Sequence, residues 1–130
     1  MRQFTKDDLA RIKLPGRAIQ KAVGLESFSK SVEMTVGFAT YSKEYGPMEP
    51  HHHAEEVVYV LDAKDAWVEF GIERNELTNR SPLRPGDVLH FAELEWHVFK
   101  YGDAGYLDII FIYGRVNNIR PEEITIESEN

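Results

Sequence analysis

Hydrophobic and polar residues alternate along this chain with two different periods. Near the start, Thr5 followed three residues later by Asp8 resembles a capping box, and Leu9 and Ile12 give one apolar edge over about two turns. This predicts a short N-terminal helix, ended by Pro15-Gly16. From Val32 onward the period is two. Val32, Met34, Val36 and Phe38 alternate with Glu33, Thr35, Gly37 and Ala39, which predicts a strand with one face in a core. Further strands are predicted over 56–61, 66–72, 87–91, 96–101 and 106–113. Turn signals separate them: Ser81-Pro82, Arg84-Pro85-Gly86-Asp87 and Gly102-Asp103. Gly86 and Gly102 read as turn residues. Many short strands joined by turns predict an all-β sandwich or barrel. Beyond it, residues 114–130 contain Pro121 and the alternating Ile124, Thr125 and Ile126, an added edge strand or a frayed end.

Composition narrows this to one domain. The 130 residues carry 42% hydrophobic and 28% charged side chains, the makeup of a folded globular chain with a single core. No internal repeat or linker is visible. The net charge of -7 argues against a nucleic-acid partner, because the basic residues do not cluster and phosphate would be repelled. Part of that acidity lies in Glu122, Glu123, Glu127 and Glu129, which read as a solvated tail. Residues 1–10 lack an apolar signal core, and the longest apolar run, 109–113, is too short for a membrane span. A cytoplasmic location is therefore expected, with no membrane partner. With no cysteine in the chain, a metal would have to be held by His, Asp or Glu.

Histidine supplies the candidate chemistry. Three of the five are consecutive, His51, His52 and His53, and Glu55 and Glu56 follow at the head of a predicted strand. In an extended chain His51 and His53 face one side and His52 the other. Two imidazoles beside a carboxylate suit Fe, Mn, Co, Ni, Cu or Zn, although a His run can equally be a solvated loop. If the strands are neighbours in a barrel, His97 completes a set of three His and one Glu, because inward side chains of adjacent strands converge.

At these residues the sequence resembles the cupin superfamily, small double-sheet barrels with an interior metal site. The family's second motif runs Gly, five residues, Pro-x-Gly, two residues, His, three residues, Asn. Here its spacing is kept throughout: Gly86, Ala92 for Pro, Leu94 for Gly, His97 at the ligand position, and Tyr101 for Asn. The first motif is looser. Gly46 begins it, Glu56 leads the family's usual strand, and Ala63 replaces the closing Gly, but His51-x-His53 stands one residue too close to Glu56. A one-residue deletion in the loop keeps His51 and His53 as ligands. An unbroken register instead puts Pro50 and His52 at the two His positions. The deletion is preferred, since a loop tolerates a lost residue more readily than a site tolerates a lost imidazole.

The resemblance implies a double-stranded β-helix, or jelly roll, as one domain over 1–130 with its core barrel at about 32–113 and an extension over 114–130. It implies a divalent transition metal held by His51, His53, Glu56 and His97. It implies a small oxygen-bearing substrate such as a sugar or keto acid, with isomerase, lyase, decarboxylase or dioxygenase chemistry. The alternative is a barrel that binds or senses a small ligand without turnover.

Other polar residues have two readings each. His90 either points into the barrel or is a satisfied structural residue. Asp108, between Leu107 and Ile109, is either an inward general base or an outward-facing carboxylate. Tyr101, with Tyr59 and Tyr113, either donates hydrogen bonds to a substrate or packs. Asp108 and Tyr101 are the catalytic candidates beyond the ligands. Trp67, Trp96 and Phe99 read as core, pocket wall or dimer contact. A homodimer is expected, because segments 17–23 or 124–126 could cover an open edge by pairing with a second subunit.

Overall fold

The computed structural model describes residues 1–114. The segment 124–126, read as an edge strand or a frayed end, and the acidic residues Glu122, Glu123, Glu127 and Glu129 lie outside the described residues. Among the described residues there are eight strands: β1 (Ile12–Leu14), β2 (Arg17–Gly24), β3 (Ser29–Lys30), β4 (Thr35–Ser42), β5 (Glu56–Gly71), β6 (Asn79–Pro82), β7 (Val88–Phe91) and β8 (Trp96–Tyr113). They hydrogen-bond in the order β1-β2-β4-β8-β5-β6, with β3 beside β2 and β7 beside β5. All pairings are antiparallel except that of β2 with β3.

The long strands β5 and β8 tie the barrel together. They pair from Glu56↔Tyr113 to Gly71↔Trp96, with register shifts between Val60 and Asp62 and between Lys64 and Ala66. Where the sequence predicts two strands in each, with a turn at Gly102-Asp103, there is one bent strand. The residues at 102 and 105 explain this. A Cβ on Gly102 would lie 1.9 Å from the Asp65 carboxylate, and one on Gly105 would lie 2.6 Å from the Lys64 carbonyl. Gly102 is thus a close-approach residue at a bulge, not a turn residue, and two irregular segments facing each other bend both strands together. Gly86, at φ 94°, does sit in the expected turn.

The N-terminal helix is corrected to a single 3-10 turn over Lys6–Asp8. The capping interaction exists, with the Thr5 N–H donating to Asp8 Oδ2 at 2.8 Å, but Pro15 and Gly16 follow too soon for a longer helix and Ile12 is taken into β1. Segment 17–23 is not an open edge: β2 pairs with β1 on one side and β4 on the other.

On β4 the buried residues are Gly37, Ala39 and Tyr41, while Val36 and Phe38 stand half-buried on the opposite face. The side predicted to face the core is therefore the outer one. Gly37 is in register with Phe111 and lies under its ring, so a small residue inside gives room to a large one. Val32 and Met34 precede the strand and are exposed. The core is built by Ala39, Tyr41, Val58, Val60, Val68, Phe91, Phe99, Leu107 and Ile109. No helix among the described residues is long and apolar enough to cross a membrane.

Candidate metal centre

Three elements meet at one end of the core. His51 and His53 come from the segment before β5, Glu56 opens β5, and His97 opens β8. All four are almost fully buried, at 4%, 2%, 4% and 1% exposure. One potential ligand nitrogen from each histidine lies within 4.8 Å of the other two. Glu56 Oε1 is 3.4 Å from His53 Nε2 and 3.5 Å from His97 Nε2. The structure brings His51 and His53, not His52, to Glu56 and His97.

Each ring is oriented by the backbone. Nδ1 of His51, His53 and His97 lies against the carbonyl oxygens of Glu49 (3.4 Å), Ala54 (3.1 Å) and Glu95 (2.9 Å). A carbonyl can only accept, so Nδ1 carries the proton and donates, leaving Nε2 with its lone pair. That is the tautomer a metal-binding imidazole requires. Phe91 stacks on His97 at 3.9 Å and 18°, closing one face of that ring. Tyr113 brings its hydroxyl to 3.5 Å from His53 Nε2.

Among the described residues, Glu56 Oε1 and His97 Nε2 are buried without a hydrogen bond. An unpaired buried polar group is costly, about 1–3 kcal/mol, and more when charged. A divalent cation between the imidazoles and the carboxylate satisfies both atoms at once, so the residues fit a metal.

The two ligand-bearing segments are fastened to each other. His51 and His97 exchange both backbone hydrogen bonds, at 2.9 and 3.0 Å, and the Leu94 N–H donates to the His53 carbonyl at 2.8 Å. His52 turns away from the cluster and stacks on Trp96 at 3.8 Å and 15°, with its Nδ1 3.2 Å from the Leu94 carbonyl. Leu94 adopts φ 62°, the left-handed backbone for which the cupin motif uses glycine. Sequence reading missed this clamp, although the substituted glycine was a signal for it.

The other candidates lie elsewhere. Asp108 alternates with the buried Leu107 and Ile109, is half-buried, and sits in register with Thr40 and Asp62 on the outer face. The Tyr101 hydroxyl faces the carbonyls of Gly46 (2.7 Å) and Ser42 (2.9 Å), and burial pushes its phenol up. His90 is exposed on β7 and contacts the Glu55 carboxylate at 2.5 Å. Neither Asp108, Tyr101 nor His90 is brought to the cluster.

By sequence, no family model and no curated protein matches the chain. Solved structures do. The polyketide cyclase RemF from Streptomyces resistomycificus superposes with a TM-score of 0.71 at 17% identity, over 93% of this chain and 82% of that one. A cupin-2 domain from Rhodospirillum rubrum gives 0.63 at 13% identity, over 98% and 84%. Oxalate decarboxylase from Lactobacillus farciminis gives 0.67 at 17% identity, over 95% of this chain but 37% of that one. The fold is that of the cupins: a small barrel, here with a buried three-histidine cluster.

Proposed function

We propose that the protein holds a divalent transition metal through His51, His53, His97 and Glu56, and acts there on a small oxygen-bearing molecule. The observation that carries this reading is the pair of buried polar atoms, Glu56 Oε1 and His97 Nε2, left without hydrogen bonds in the middle of the cluster. When bound, Fe, Mn, Ni, Co, Cu or Zn would supply a Lewis acid with positions open to a chelating oxygen ligand. The chain's own groups do the rest. The three carbonyl-bound Nδ1–H groups hold the rings in one tautomer, Glu56 offsets positive charge, and Phe91 keeps water from the back of His97. Neighbours of the same fold include a polyketide cyclase, a DMSP lyase and oxalate decarboxylases. They support turnover of a small substrate in such a barrel, with isomerase, lyase, decarboxylase or dioxygenase chemistry all compatible.

Metal analysis of protein purified without a His tag tests the reading. About one equivalent of transition metal is expected, and less than about a tenth, with none taken up on addition, overturns it. His97→Ala and Glu56→Gln should each weaken metal binding by roughly a hundredfold. Ligand-dependent thermal shifts without turnover across sugars and keto acids would favour a binding or sensing barrel instead.

A further inference from the structure

The candidate metal centre has a fifth polar neighbour, supplied by the far end of β8. Strand register puts it there. Glu56 is in register with Phe91 of β7 on one side and with Tyr113 of β8 on the other. Residues directly opposite each other in antiparallel strands point to the same face, so both rings share the face of the Glu56 carboxylate. His97 lies at the start of β8 and Tyr113 ends it, and the bend in that strand brings both to one cluster. The two neighbours of Glu56 differ in kind. Phe91 is buried and stacks on His97, whereas Tyr113 is half-buried and stands edge-on to His53, with ring centroids 4.9 Å apart at 82°.

The direction of the Tyr113 hydroxyl follows from the ring beside it. It lies 3.5 Å from His53 Nε2. Because His53 Nδ1 donates to the Ala54 carbonyl, Nε2 has a lone pair and no hydrogen, so of the two groups it is the hydroxyl that donates. Its hydrogen points at the lone pair that a cation would take. Glu56 Oε1 lies 3.4 Å from the same nitrogen, so a carboxylate and a phenol flank one position. With that lone pair engaged by a cation, the O–H meets the acceptor atoms of whatever the cation holds.

The other two tyrosines of the same ambiguous reading cannot do this. Tyr59 alternates with the buried Val58 and Val60 and is 41% exposed on the outer face. The Tyr101 hydroxyl is directed to the Gly46 and Ser42 carbonyls. A fixed neutral donor beside a cation favours a ligand that binds through one oxygen and keeps another lone pair, such as a carboxylate, hydroxamate or enolate. A ligand whose one lone pair is spent on the cation gains nothing from it.

We propose that Tyr113 is the hydrogen-bond donor to a small oxygen ligand at this centre and selects ligands that keep an acceptor oxygen beside the cation. The proposal rests on the metal reading of the same site. Protein loaded with cobalt(II) and titrated with acetohydroxamate or imidazole, followed by visible absorption, tests it in the parent and in Tyr113→Phe. Acetohydroxamate keeps oxygen lone pairs after coordination, whereas imidazole keeps only an N–H. Tyr113→Phe should take up as much cobalt as the parent and bind imidazole equally well, but bind acetohydroxamate about tenfold more weakly, the loss of one hydrogen bond to a charged acceptor. The retained ring keeps its contacts with His53 and Phe111, and cobalt uptake with imidazole affinity reports the integrity of the variant. An unchanged acetohydroxamate affinity, an equal loss for both probes, or no saturation of the loaded parent by about 10 mM acetohydroxamate would each overturn the proposal. So would loss of cobalt from Tyr113→Phe, which would make Tyr113 a ligand. A parent that takes up less than about a tenth of an equivalent of cobalt is a separate result: it overturns the metal reading itself, and this proposal with it.

Discussion

At the scale of single residues, Leu94 shows most directly how the site departs from the cupin motif that the sequence resembles. A non-glycine residue in left-handed backbone costs about 1–2 kcal/mol, and Leu94 is held there because its N–H and C=O both serve the histidine segment. Leu94→Gly should therefore raise stability by about 0.5–1 kcal/mol in denaturant melts, whereas Leu94→Val should lower it. An unchanged midpoint for both would show that the strain is not felt. The resemblance to the cupin motifs pointed to His51, His53, Glu56 and His97, with His52 as the alternative in an unbroken register. Alternation does not say whether His52 or its neighbours turn inward; the stack of His52 on Trp96 decides it. Asp108 and Tyr101 were ambiguous for the same reason: in a strand, the side a residue faces depends on which sheet covers it.

At the scale of elements, the bulge shared by β5 and β8 governs the barrel's bend. Gly105→Ala would drive a Cβ against the carbonyls of Lys64 and Asp65, at 2.6 and 2.8 Å, both backbone atoms that cannot step aside. A loss of roughly 3 kcal/mol or more is expected in equilibrium unfolding, and a loss below about 1 kcal/mol would show that the bulge relaxes freely. Further along the same pair of strands, Glu69 accepts a hydrogen bond from Trp67 Nε1 at 2.9 Å and pairs with Lys100. The Trp67 hydrogen bond, with Lys100 and Arg80 nearby, outweighs burial and holds the Glu69 carboxyl below its ordinary value. A lowered value in the folded state means that stability is present above the ordinary glutamate range and lost as pH falls through the folded one. Glu69→Gln should thus be less stable than the parent by up to about 1 kcal/mol at neutral pH, with the gap closing on acidification. A gap that stays constant with pH would rule this out. In sequence the bulge shows only as Gly102, which reads as a turn residue.

At the scale of the whole molecule, the outer face of the sheet exposes several large apolar side chains. Tyr59, Val88 and Ile112 are 41%, 65% and 37% exposed, and Val88 and Ile110 are both in register with Tyr59. A continuous apolar patch on a sheet face is the kind of surface a second copy covers. Sedimentation at micromolar concentration is expected to show a dimer, and Val88→Glu a monomer of unchanged fold. A monomeric parent protein would remove this expectation. The open edge first considered for pairing, 17–23, is filled within the chain by β1 and β4.

The amino-acid sequence by itself determined the all-β class, the turn at Gly86, the absence of thiol ligands and the short list of residues from which the cluster is drawn, because periodicity, turn chemistry and motif spacing are local. Tertiary structure alone decided the rest. It merged four predicted strands into two, turned the buried side of β4 to Gly37, Ala39 and Tyr41, sent His52 outward and left Glu56 Oε1 and His97 Nε2 without hydrogen bonds. Each of these depends on what a distant segment places opposite a residue, and an alternating pattern fixes two faces without saying which will be covered.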